Sequence, residues 1–191
     1  QEALAAKKEL EQARQTIAAA IGAHSDEIVF VASGTEANNL AIMGVARHSA
    51  KRGFSLEGLH FITASIEHPS VLEPFKEIER MGGSVTNVQP DTRGIVRPEA
   101  VTTALTPQTV LVSVGWINGE IGVVQPLHSI VQAVRAYEKD HGTRILVHTD
   151  AGQGPLYLSS NTHGLGVDLM TLDSGKLYGP RGVGALFVRD K

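Results

Sequence analysis

The sequence contains no cysteine. That absence excludes disulfides, thiolate zinc sites and a cysteine nucleophile within these 191 residues. Aromatic residues make up only 5%, so aliphatic and alanine side chains must fill the interior from a hydrophobic share of 42%. Net charge is small, at −3, and points to neither nucleic acid nor an anionic membrane as a partner. No apolar run approaches the roughly 20 residues that span a bilayer. No signal peptide is legible, and the expected compartment is the cytoplasm. No Gly-x-Gly-x-x-Gly opens a helix, and no Walker-type Gly-Lys-Ser/Thr loop occurs. No metal site is expected. Residue 1 is Gln, inside a stretch that already reads as helix, and the chain stops just after a strand-like run. It is therefore expected to be an excerpt of a longer protein.

What is present is an alternation. Good helix formers fill 1–21, with Leu4, Leu10, Ala13 and Ile17 on roughly one face and Gly22 as the stop. Short β-branched runs at 28–31, 60–63, 84–88, 110–114, 145–148, 169–172 and 185–188 read as strands. Between them, 36–46, 70–81, 98–105 and 127–141 read as helices, and 53–58 as a loop. The pattern predicts an α/β fold: a mostly parallel sheet flanked by helices on both faces. Such sheets bind ligands at the carboxyl ends of their strands, so the residues following each strand are where chemistry is expected.

Five segments stand there. After the first strand, Ser33-Gly34-Thr35-Glu36 opens a helix; Gly34 and the free N–H groups suit an anion, although Thr35 also reads as a simple N-cap. After the second, His68 of Glu67-His68-Pro69-Ser70 either stacks on a planar ring and shuttles protons or is a polar loop residue. In Asn118-Gly119-Glu120-Ile121-Gly122, Asn118 or Glu120 contacts a ligand or braces a glycine-shaped turn. Asp150 of Thr149-Asp150-Ala151-Gly152-Gln153 could pair with a pyridinium nitrogen or cap a helix. Lys176, among small residues in 173–184, offers an amine that forms an imine with an aldehyde. The glycines at 179–184 precede a strand, so they form no dinucleotide fingerprint. An anion cradle, an acid, an amide and a lysine at one rim fit pyridoxal 5'-phosphate better than a nucleotide.

In their order and spacing these segments resemble the cysteine desulfurases, within the class V aminotransferase group. The motifs are 33–42, 67–72, Asn118-Gly119-Glu120-Ile121-Gly122, His148-Thr149-Asp150-Ala151-Gly152-Gln153 and 176–184, and the resemblance covers essentially all of 1–191. It implies the large, cofactor-binding domain of a fold-type-I transferase, with an N-terminal segment and a C-terminal small domain lying outside 1–191. It also implies a homodimer. The implied activity converts L-cysteine to L-alanine and passes the sulfur to an acceptor cysteine outside this segment, with an acceptor protein beyond it, as in iron–sulfur cluster assembly. By the same resemblance Gly34 and Thr35 bind the phosphate, His68 stacks on the ring and assists proton transfer, Asp150 bonds the pyridine nitrogen, Gln153 bonds the ring hydroxyl, and Lys176 is the Schiff-base lysine.

Two positions depart from the family's pattern. Gly119 stands where the second Asn of an Asn-Asn-Glu loop is usual, so that contact is either lost or passed to Asn118. Asp173-Ser174-Gly175-Lys176 replaces Ser-x-His-Lys, so Ser174 is expected to supply the shifted phosphate contact. Asp173 is unwelcome beside a phosphate unless it points away. Other readings of the chain are a selenocysteine lyase, a related class V lyase or transaminase, and a degenerate scaffold without catalysis.

Overall fold

The computed structural model describes residues 1–50 and 55–190. Residues 53 and 54 of the expected loop lie outside the described residues. The elements follow the predicted alternation: α1 (Glu2–Ile21), β1 (Ile28–Val31), α2 (Gly34–Ser49), β2 (His60–Ala64), α3 (Pro69–Arg80), β3 (Ser84–Val88), α4 (Pro98–Ala104) and β4 (Thr109–Ser113). Then come β5 (Ile117–Asn118), β6 (Val123–Val124), α5 (Leu127–His141), β7 (Leu146–Asp150), α6 (Thr162–Leu165), β8 (Leu169–Asp173) and β9 (Gly184–Val188). The hairpin of β5 and β6 and the short α6 have no counterpart in the sequence expectation. Two-residue strands and a one-turn helix are too short to carry a hydrophobic period.

Seven strands form one sheet in the order β1-β9-β8-β7-β4-β2-β3. The pairs β2–β3, β2–β4, β4–β7 and β7–β8 are parallel, whereas β9 runs antiparallel to both β8 and β1. The sheet is therefore mostly parallel, as expected, with one reversed strand. Successive residues of each strand face opposite sides of the sheet. Phe61, Leu111, Leu169 and Leu186 pack with α2 and α3, while their neighbours Ile62, Val112, Met170 and Phe187 join a second cluster with α5 and the end of α1. All five residues of β2 are buried, including His60 and Thr63, so both faces of this central strand are covered.

α1 differs in detail from its predicted face. Leu4 and Leu10 are exposed, and the helix is buried only at Ala18 and Ile21. Gly22 ends it in a left-handed conformation, φ 66°.

The reversed strand matters for the site. A Cβ at Gly184 would fall 2.7 Å from the Ser33 carbonyl carbon and 3.1 Å from the Gly34 nitrogen. Glycine thus lets β9 lie directly against the start of α2. That contact fixes the helix N-terminus beside the end of β8.

Candidate active site

The carboxyl ends of β1, β2, β4, β7 and β8 surround a cavity of about 330 Å³. Of the residues singled out from sequence, Gly34, Thr35 and His68 line it from the α2 and α3 side. Asn118, Asp150, Gln153 and Lys176 line it from the remaining strand ends. Ser174 does not line it. Its hydroxyl packs on Gly179, where a Cβ would come within 2.3 Å of Oγ. Asp173, one residue earlier, lines the cavity instead. Asp173 is the last residue of β8 and caps the 3-10 turn Ser174–Lys176, which carries Ser174 away from the strand.

Asp150 ends β7 with its carboxylate held at both oxygens. Oδ1 accepts from the Gly152 N–H at 2.9 Å, and Oδ2 accepts from Asn38 Nδ2 at 2.7 Å. Asn38 is 1% exposed and sits one turn into α2, four residues after Gly34, so it shares the cavity face of that helix. Its Nδ2 also lies 2.9 Å from Ser70 Oγ, and Ser70 Oγ lies 2.7 Å from His68 Nδ1. His68 Nδ1 further accepts from the Ser70 N–H at 3.1 Å, which makes His68 the N-cap of α3. An accepting Nδ1 leaves the proton of the neutral ring on Nε2. The result is a continuous polar chain: His68, Ser70, Asn38, Asp150. Asn38 Oδ1 is buried without a hydrogen-bond partner.

Glu67, the residue before His68, also lines the cavity and accepts from the Gly115 N–H at 2.9 Å. Burial raises its carboxyl from 4.5 to about 8; the Gly115 bond opposes the rise, and the negative Asp150 adds to it. His148 lies beneath the site, fully buried, with Nδ1 2.8 Å from Ser113 Oγ and Nε2 3.1 Å from Thr171 Oγ1. Burial lowers its imidazole from 6.5 to about 4 against the opposing pull of Asp150.

Asn118 braces the hairpin. Nδ2 donates to the Ile66 carbonyl at 2.9 Å, while Oδ1 accepts from the N–H groups of Glu120 and Ile121 at 2.9 and 3.2 Å. The Gln153 side chain lies across Gly119, where a Cβ would come 3.1 Å from Nε2. Gly119 thus gives Gln153 its room. Lys176 is exposed on the 3-10 turn Ser174–Lys176 and makes no side-chain hydrogen bond or ion pair among the described residues. Its amine is available to an incoming ligand.

Sequence reasoning singled out neither Asn38 nor Glu67, and it treated Asp173 only as a possible obstacle. For Asn38 a signal existed in its helical spacing from Gly34. For Glu67 none did, because its significance comes from burial against Gly115.

This arrangement has counterparts. Residues 1–191 match the Aminotransferase class-V family. The chain is 42% identical over 180 residues to a protein named cysteine desulfurase IscS from Dictyoglomus turgidum, covering 94% of this chain and 43% of that protein. It is 41% identical over 186 residues to the cysteine desulfurase IscS of Haemophilus influenzae, covering 97% and 43%. Among solved structures, one described as SspA in complex with cysteine superposes with a TM-score of 0.89 at 39% identity, over 99% of this chain and 51% of that one. A NifS-like protein superposes with a TM-score of 0.91 at 32% identity, over 98% and 49%. The chain spans about half the length of these relatives.

Proposed function

Because the chain belongs to the class V aminotransferase family, we propose that it is the cofactor-binding core of a pyridoxal-phosphate-dependent cysteine desulfurase, which converts L-cysteine to L-alanine. The observation that carries this reading is the meeting, in one cavity, of the unengaged Lys176 amine and an Asp150 carboxylate fixed by Asn38. The donor set suits the ring of the cofactor: an amine for its aldehyde and an anchored acid for its ring nitrogen.

Bound pyridoxal phosphate supplies an electron sink for charge developing at the substrate Cα. Lys176 would be the base that takes the Cα proton and later returns one, since its amine lines the cavity without a side-chain partner among the described residues. Asp150 keeps the ring nitrogen protonated, and its two fixed hydrogen bonds hold it still while it does so. His68 would stack on the ring and share in proton transfer through Nε2–H, and Gln153 would donate to the ring oxygen. In the sulfur step the substrate Cβ–S bond breaks, an S–S bond forms on an acceptor thiolate, and Cβ takes up a proton. That thiolate comes from outside residues 1–191, which contain no cysteine. The same reading makes the whole protein a cytoplasmic homodimer that passes its sulfur to an acceptor protein for iron–sulfur cluster assembly. The relatives' name, cysteine desulfurase, supports the sulfur chemistry of this reading.

Borohydride reduction of the full-length holoprotein, followed by peptide mapping, is expected to leave a stable pyridoxyl group on Lys176. Alanine is expected from L-cysteine before reduction and not after. A label on another lysine, or no release of alanine, refutes the proposal.

A further inference from the structure

We propose that Asp173 is an internal anion seated in the phosphate cradle, so that this protein selects only weakly for the phosphate of its cofactor. The inference rests on the pyridoxal phosphate reading above and concerns one end of the same cavity.

The first turn of α2 carries the N–H groups that a phosphate would use, and most of them are already engaged. Gly34 N–H donates to Asp173 Oδ2 at 3.2 Å. Glu36 N–H donates to Ser33 Oγ at 3.1 Å, and Ala37 N–H to the Ser33 carbonyl at 3.0 Å. Only the Thr35 N–H and hydroxyl remain at this turn. Asp173 is also held from its own side, since Oδ1 accepts from Gly175 N–H at 2.9 Å. A Cβ at Gly34 would fall 2.9 Å from Asp173 Oδ2, which shows how closely the carboxylate lies on the helix start. Ser174, the neutral hydroxyl that could serve a phosphate, faces Gly179. No arginine lines the cavity among the described residues.

A phosphate arriving here meets a carboxylate on the amide it needs and no guanidinium to offset it. It must displace Asp173 or share the turn with it. Either course costs binding free energy that an unphosphorylated pyridoxal does not incur. Lys176 and the ring contacts then carry most of the cofactor's hold, and the phosphate adds little.

The test compares full-length wild type with Asp173→Ser and Asp173→Asn. Serine removes the charge and leaves room, whereas asparagine keeps the size and the acceptor for Gly175 should serine impair folding. Dissociation constants are measured by absorbance titration for pyridoxal phosphate and for pyridoxal, and melting temperature is measured in inorganic phosphate. Both variants are expected to bind pyridoxal phosphate roughly tenfold or more tightly than wild type, with pyridoxal affinity little changed. Phosphate alone should raise their melting temperature and not that of wild type. Unchanged or weaker pyridoxal phosphate binding in both variants, or an equal shift for both ligands, overturns the proposal. If phosphate stabilises the variants but neither ligand reacts with Lys176, the cradle assignment stands and the cofactor reading fails.

Discussion

Asn38 donates one side-chain nitrogen both to Asp150 Oδ2, at 2.7 Å, and to Ser70 Oγ, at 2.9 Å. A buried amide on α2 therefore couples the acid at the end of β7 to the histidine that caps α3. A hydrogen bond to a carboxylate contributes roughly 1.5–3 kcal/mol. Asn38→Ala is expected to cost about that much in a urea titration, and to lower kcat more than it raises KM, because Asp150 loses its fixed direction. Ser70→Ala leaves the Asn38–Asp150 bond in place and should reduce kcat less. Equal kinetic losses in the two variants would mean that the coupling runs through His68 instead.

Glu67 gives the molecule a stability slope at neutral pH. In the unfolded chain it ionises near 4.5, whereas in the fold it holds its proton to about 8. The folded state binds more protons across that window, so this group's stabilisation is complete below 4.5 and is lost as pH rises through 8. The slope is about 1.4 kcal/mol per pH unit. His148 does not contribute above 6.5, so the range from 6.5 to 8 isolates Glu67. Glu67→Gln keeps an acceptor for Gly115 and removes the proton. Urea midpoints of wild type should fall relative to those of this variant between pH 6.5 and 8. Parallel midpoints would show that the carboxyl ionises normally.

Much of this was legible in the sequence, for a physical reason. β2 and β4 are buried on both faces, so Phe61-Ile62 and Val110-Leu111-Val112 read as short strand cores, and the residues that follow the strands fall at the cavity rim. The direction of β9 was not legible, because Ala185, Leu186 and Phe187 carry the same pattern in either orientation; only pairing with β8 and β1 reveals it. Ser174 and Asp173 could not be ranked from spacing alone, since the point at which β8 gives way to the 3-10 turn decides which of them faces the cavity. Leu4 and Leu10 share a face with Ala13 and Ile17 by spacing, but spacing does not say what covers that face, and both leucines are exposed.

His148 should make the fold sensitive to acid. Its unfolded value of 6.5 falls to about 4 in the native state, where both ring nitrogens are engaged and no water reaches them. Its contribution is complete above 6.5 and is lost as pH falls through 4, as the unfolded chain gains the proton first. His148→Gln removes that proton uptake. The variant's stability relative to wild type should improve steadily between pH 6.5 and 4, even if replacing the ring lowers its stability at pH 7. A difference that stays constant with pH would show that the histidine titrates normally.

Two glycines should respond to alanine with opposite signs. A Cβ at Gly154 would lie 2.3 Å from Trp116 Cε3 and 2.9 Å from Cζ3. Trp116 is 4% exposed, and its backbone N–H donates to the Asp150 carbonyl at 2.9 Å. Gly154→Ala must push the indole into a packed core, which costs about 1–3 kcal/mol, and it drags on the strand end that carries Asp150. Activity should fall together with stability. Gly44 lies inside α2, and a Cβ there meets nothing within 4 Å. Gly44→Ala should therefore stabilise the protein by roughly 0.5–1 kcal/mol through helix propensity alone, with kinetics unchanged. Urea titrations of both variants check the pair. A stabilising Gly154→Ala would mean that the Trp116 contact is looser than the geometry shows, and a destabilising Gly44→Ala would mean that this face of α2 is covered in the full-length protein.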